Sequence, residues 1–138
     1  MKTKIIACLL GLVAILVYSC QSEQELEFMR YYTTGQELYK TNCQNCHGAQ
    51  GEGLAALIPP LTDSSYLRKN KQQLACYVYN GLKLPIIVNG KAYSGQMPAS
   101  SLAPIQIAQV LTYVENSFGN KMGLHDVNAV NTELTKCE

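Results

Sequence analysis

The chain has no tryptophan and only two phenylalanines in 138 residues, and nine tyrosines supply most of its aromatic surface. Aromatic side chains alone do not fill a core of this size, and a flat apolar cofactor would suit its middle. Length for several domains is also lacking. With 138 residues, 47% of them apolar, the chain fits one small domain and excludes a multidomain enzyme. There is no basic run. Eleven Lys and Arg against ten Asp and Glu give a net charge of +1, without the electrostatic footprint of a nucleic-acid binder. Acidic tails, low-complexity tracts and internal repeats are likewise absent.

No apolar run reaches the roughly 20 residues needed to span a bilayer. The longest, Ile5 to Tyr18, has 14 residues and follows Lys2 and Lys4, the order of charge and hydrophobicity that marks an export signal. It ends Val17-Tyr18-Ser19-Cys20, which resembles the lipobox of bacterial lipoproteins. That resemblance implies acylation of Cys20 as the first mature residue. Residues 1–19 are then a lipoprotein-type signal peptide, and several acyl chains on one residue anchor the product durably to a membrane of the bacterial cell envelope, on its periplasmic side. The alternative is ordinary cleavage nearby, leaving Cys20 as a thiol. Removing residues 1–19 leaves 119 residues with nine basic and ten acidic side chains.

Residues 20–33, with Glu23, Glu25 and Glu27, read as a tether, and residues 34–138 as the folded domain. Thr34-Gly35-Gln36-Glu37 has the form of a capping box, so a helix is expected to start at Thr34 and run to about Asn42. Gly48, Gly51 and Gly53 then mark a loop, and Pro59-Pro60 stiffens it before Leu61. Asp63 and Asn70 can each cap a helix, the second running from Lys71 to Asn80 and stopping at Gly81. Asn89-Gly90 between Ile86-Ile87-Val88 and Lys91-Ala92-Tyr93 predicts a hairpin. A last helix opens on Pro104, carries Ile107, Leu111, Val114 and Phe118 on one side, and ends at Gly119. The tail from about 120 shows too little periodicity to assign.

Cys43-Gln44-Asn45-Cys46-His47 matches Cys-x-x-Cys-His, the attachment site of covalent c-type haem. Two thiols add across the haem vinyl groups, and the adjoining imidazole becomes an axial ligand. Zinc would need two more soft ligands at close spacing, and only Cys76, Cys137 and His125 remain, widely scattered. A thioredoxin-like pair expects a strand before the motif, where a helix is predicted instead. Met97, in the turn-rich Gly95-Gln96-Met97-Pro98, is the candidate second axial ligand. Its soft sulfur favours ferrous iron and raises the potential, as suits an electron carrier. Met122 and Met29 lie outside such a loop, and His125 reads as a polar surface residue.

With these residues the sequence resembles a class I c-type cytochrome over about Thr34 to Gly119. The resemblance implies an all-α fold of three to four helices around one haem c, with a short β-hairpin before the Met97 loop. It also implies that a Pro-x-Leu segment, matched by Pro59-Pro60-Leu61, supports the haem pocket, with the Pro59 carbonyl bonded to His47. The first and last helices cross in this family, and Leu38, Tyr39, Leu111 and Tyr113 are the candidates for that contact. The stretch Pro85 to Pro98, with Val110 to Val114, is similar to bacterial cytochrome domains associated with dehydrogenases, nitrite reductases and terminal oxidases. Leu84 departs from a frequent Gly, and Ala103 from a frequent capping Ser or Asp. Of the remaining cysteines, Cys76 and Cys137 invite a disulfide outside the cytoplasm; otherwise Cys76 is a small buried residue and Cys137 a free thiol.

The function expected is single-electron transfer between respiratory donor and acceptor proteins, with no small-molecule substrate transformed. Two alternatives stand beside it. One is a haem-based gas or peroxide sensor or enzyme with open iron, and the other a cytochrome subunit of a larger oxidoreductase complex.

Overall fold

The computed structural model describes the backbone of residues 2–137 and the side chains of residue 6 and residues 23–137. It forms two compact units, Met1–Arg30 and Tyr31–Glu138.

The first unit is the leading part of helix α1 (Lys2–Asn42). The helix start expected at Thr34 is therefore not used. From Leu12 to Thr34 there is no Gly or Pro, and the acidic segment is rich in Glu, Gln, Leu and Met, all strong helix formers. Residues 21–30, expected to be an extended tether, each advance about 1.5 Å along a helix instead of about 3.4 Å. Cys20 lies in α1, and its side chain is outside those described. Among the described residues no helix is long and apolar enough to cross a membrane.

The second unit holds the end of α1, then α2 (Gln44–His47), α3 (Ser64–Lys69), α4 (Lys71–Asn80), β1 (Ile86–Val88), β2 (Lys91–Tyr93), α5 (Pro104–Val114) and α6 (Val127–Leu134). Helix and hairpin thus follow the expected mostly helical plan, with six helices among the described residues where three to four were expected. Asp63 caps α3 by accepting from the Ser65 and Tyr66 amides. The strands pair antiparallel, Val88 opposite Lys91, with Asn89 and Gly90 both at positive φ (51° and 73°), as a tight two-residue hairpin turn requires.

Helix α5 is the centre of the core: Ile107, Ala108, Val110, Leu111, Thr112, Tyr113 and Val114 are all buried. Ala103 offers no capping oxygen, and Gln106 compensates by accepting from the Ala103 amide at 2.9 Å. The end of α1 lies against α5 where Gly35 meets the Gln109 carbonyl and Tyr113, so closely that a Cβ there would collide. Tyr39 and Tyr113 stack at 5.3 Å between ring centroids, and Phe118 closes the cluster at 5.3 Å from Tyr39 and 5.7 Å from Tyr113. This is the helix contact expected of Tyr39 and Tyr113.

One expectation fails at the C-terminal end. Helix α5 stops at Val114, short of Gly119, because Glu115 caps it and the chain reverses through Phe118 and Gly119 at φ 58° and 92°. The tail left unassigned contains α6, whose N-cap Asp126 accepts from the Asn128 and Ala129 amides at 2.8 and 3.0 Å. A disulfide joins Cys76 of α4 to Cys137 just beyond α6.

Candidate functional site

The Cys-x-x-Cys-His motif begins where α1 ends. The Cys43 amide donates to the Tyr39 carbonyl at 2.9 Å, and Cys43 then opens the single turn α2 that carries Cys46 and His47. Both thiols are unpaired, Cys43 half-buried and Cys46 exposed. Burial, reinforced by Cys46, pushes the Cys43 thiol up to about 11, so it is held as a neutral thiol.

The loop after the motif folds back over His47. The Gly53 amide donates to the His47 carbonyl at 2.8 Å, the Leu61 amide to the Gly51 carbonyl at 2.7 Å, and the Tyr39 hydroxyl to the Gly48 carbonyl at 2.6 Å. Gly53 has φ 70°, and a Cβ on it would strike the carbonyl-bearing backbone of Ile58 and Pro59. This packing delivers the Pro59 carbonyl to His47 Nδ1 at 3.2 Å. A carbonyl only accepts, so Nδ1 carries the hydrogen and Nε2 keeps its lone pair. Burial holds His47 below the ordinary histidine value, with the Pro59 bond working the other way. The ring is therefore neutral and oriented, with Nε2 left available.

Met97 lines the same cavity from another segment. Its amide donates to the Leu82 carbonyl at 2.9 Å and its carbonyl accepts from the Leu82 amide at 2.9 Å, joining the loop to the end of α4. On the other side the Gly95 amide donates to the Leu57 carbonyl at 3.0 Å. Gly81, at φ 74°, lies against the Met97 carbonyl, where a Cβ would collide.

Between these walls is a cavity of about 380 Å³ lined by Cys43, Cys46, His47, Pro59, Leu61 and Met97, with apolar residues of α3, α4, β1 and α5 completing it. All six residues expected at a haem site thus face one space. The chemistry of the lining fits a haem: two thiols, one imidazole with a free Nε2, a thioether and an apolar surround. Ser100 Oγ, at the same lining, is shielded from solvent with no hydrogen-bond partner among the described residues, which suits a cofactor bringing a polar group to that wall. Among the described residues no cluster of His, Cys, Asp and Glu could hold a zinc ion, and Cys76 and Cys137 are bonded to each other.

Two contributors were invisible in the sequence. Asn120 of the unassigned tail donates through Nδ2 to the carbonyls of Leu61 at 2.8 Å and Val114 at 3.0 Å, tying the Pro-Pro-Leu segment to the end of α5. His125, expected on the surface, is 1% exposed. Its ring bonds to Glu115 and Glu133 away from the cavity. No local pattern signals either role, since each depends on partners that only the fold brings together.

The sequence model of the Cytochrome c family matches residues 32–118. The chain is also 32% identical over 90 residues to proteins described as "Alcohol dehydrogenase (quinone), cytochrome c subunit" from Gluconacetobacter polyoxogenes and Komagataeibacter europaeus. The match covers 63% of this chain and 19% of each relative, so the chain spans about a fifth of their length.

Proposed function

This chain belongs to the cytochrome c family of electron-transfer proteins, which carry haem c and its iron on covalent bonds, and from that premise we propose a monohaem carrier with His47 and Met97 as axial ligands. When bound, the haem supplies an iron that accepts and releases one electron. Cys43 and Cys46 would hold the ring through thioether bonds. His47 would offer Nε2 to the iron, since Pro59 occupies Nδ1, and such outer contacts fix a ligand ring and tune the metal. The Leu82 and Leu57 attachments hold the Met97 loop rigid, so little reorganisation accompanies a change of charge. The observation that carries the reading is the convergence of His47, Met97 and both thiols on one apolar cavity.

The surface beside that cavity supports transient docking of redox proteins. Leu84 and Ile87 are 77% and 68% exposed. The stretch from Ser64 to Val114 holds five basic residues and no acidic one. A dehydrogenase, reductase or terminal oxidase of the respiratory chain would meet it through an interface under roughly 1,200 Å². Both relatives are cytochrome subunits of a dehydrogenase, which supports a second setting, a subunit within a redox complex; co-purification after detergent extraction separates the two. The signal peptide, the lipid on Cys20 and the periplasmic location belong to the same reading, supported by the charge pattern of residues 1–20. Mass spectrometry of the mature N-terminus tests them.

The deciding experiment records spectra of the matured protein, oxidised and reduced, with carbon monoxide added to the reduced sample. Low-spin iron, a far-red sulfur-to-iron band lost in Met97→Ala, and no carbon monoxide shift in the wild type are expected. High-spin iron or ready carbon monoxide binding in the wild type would instead make it a sensor or an enzyme with an open site.

A further inference from the structure

Outside the cavity, one group of buried ionisable side chains has no part in haem binding. His125 Nδ1 lies 2.8 Å from Glu115 Oε1, and Nε2 lies 3.1 Å from Glu133 Oε2. The side chains of His125 and Glu115 are fully buried and that of Glu133 is 11% exposed. Glu115 is the cap that ends α5, and Glu133 stands in α6. From α4, Lys71 Nζ approaches Glu115 Oε2 at 3.7 Å. Asp126, next to His125, is engaged in capping α6. The backbone on either side is stitched to α5 as well: the His125 amide donates to Thr112 Oγ1 at 3.1 Å, and Asn116 binds the Met122 and Gly123 amides at 3.0 and 2.8 Å.

We propose that the tail from Asn120 to Cys137 is fastened by a proton: His125 is an imidazolium clamped between Glu115 and Glu133, and loss of its proton releases α6 from α5. A neutral imidazole donates from one nitrogen only and would turn its other lone pair onto a carboxylate oxygen. With both nitrogens at bonding distance, both must donate. Charge gives the same answer. Two carboxylates are balanced by His125 and Lys71 only when the ring is charged, and an uncompensated buried charge is costly.

Burial works against the charged ring, but the hydrogen bond and charge of Glu115, followed by those of Glu133, outweigh it and raise His125 above the ordinary histidine value. A raised folded value stabilises the fold fully below about 6.5, the unfolded value. That stabilisation fades as pH climbs through the folded value. The fastening is therefore closed around and below the unfolded histidine value, as long as both carboxylates are ionised, and opens as pH climbs through the folded value. The Cys76–Cys137 disulfide holds the far end of the tail independently, so opening is local. Helices α4 and α5 line the cavity through Leu74, Val78, Val110, Leu111 and Val114. Helix α6 packs on both of these helices, and releasing it slackens the outer backing of that wall.

The test is native-state hydrogen exchange of α6 amides in the full-length matured protein from pH 6 to 9, corrected for intrinsic rates, with a magnetic-resonance titration of the His125 ring in the reduced state. Opening of α6 should rise with pH from about 6.5 up to the folded value, by up to about tenfold per pH unit, level off above it and become independent of pH in His125→Gln. In Glu133→Gln the ring should titrate lower than in the wild type. A ring that titrates at or below about 6.5 in the wild type, or α6 opening that is flat with pH there, overturns the proposal. None of the four charged groups touches the cavity, so this result and the spectral test of the haem ligands fail or succeed separately.

Discussion

At the scale of single residues, glycines decide how Met97, the proposed second axial ligand, is presented. Gly81 and Gly90 have nearly the same positive φ, 74° and 73°, yet a Cβ on Gly81 would collide with the Met97 carbonyl while one on Gly90 would meet nothing within 4 Å. Alanine at either position strains the backbone by about 1–2 kcal/mol. Only Gly81→Ala adds overpacking, roughly 1–3 kcal/mol more. Denaturant unfolding of the two variants should separate them by that increment, and Gly81→Ala alone should weaken the sulfur-to-iron band. Equal losses would mean that the Met97 loop yields to the added methyl. In the sequence Gly81 reads as a helix stop and Gly90 as a turn residue, since both roles are local. The contact with Met97 joins residues 16 positions apart and has no local signal.

At the scale of elements, the tail is attached to α4 and α5 by two unlike devices. The disulfide closes a separation of 61 residues, and in the chain-entropy account a loop of that order stabilises by about 2–4 kcal/mol. The double variant Cys76→Ser, Cys137→Ser should lose that much unfolding free energy by denaturant titration. A loss below about 0.5 kcal/mol would mean that α6 packing and its polar bonds hold the tail without help. The legibility of the helices has a related cause. Helices α4 and α5 carry long apolar faces or strong stop signals, and they lie close to where the sequence predicts them. Helix α6 is short, and its burial depends on α4 and α5 being present to receive Val130. The capping box at Thr34 does not start a helix because an uninterrupted run of good helix formers precedes it and carries α1 through.

At the scale of the whole molecule, the domain is built around a space its own side chains do not fill. Apolar walls left facing this space go unburied, and a small domain has only about 5–15 kcal/mol of stability with which to offset that loss. The variant Cys43→Ser, Cys46→Ser, matured without covalent haem, should therefore lack a cooperative thermal transition by near-ultraviolet circular dichroism. A sharp transition within a few degrees of the parent's would show that the walls collapse onto one another unaided. The shortage of Trp and Phe in the composition points the same way, because the bulk that would close this core is missing from the chain.

The Cys-x-x-Cys-His motif, the hairpin and the mostly helical plan were legible in the sequence because each rests on neighbours a few residues apart. Cys43, Cys46 and His47 share one helical turn, and Asn89-Gly90 dictates its own turn. Tertiary structure alone decided that Asn120 braces Leu61, that Gly81 supports Met97, and that His125 is buried between two carboxylates. Those pairings join residues 59, 16, 10 and 8 positions apart. Burial and partner charge, not residue type, set what such groups do, and both come into being only when distant segments pack.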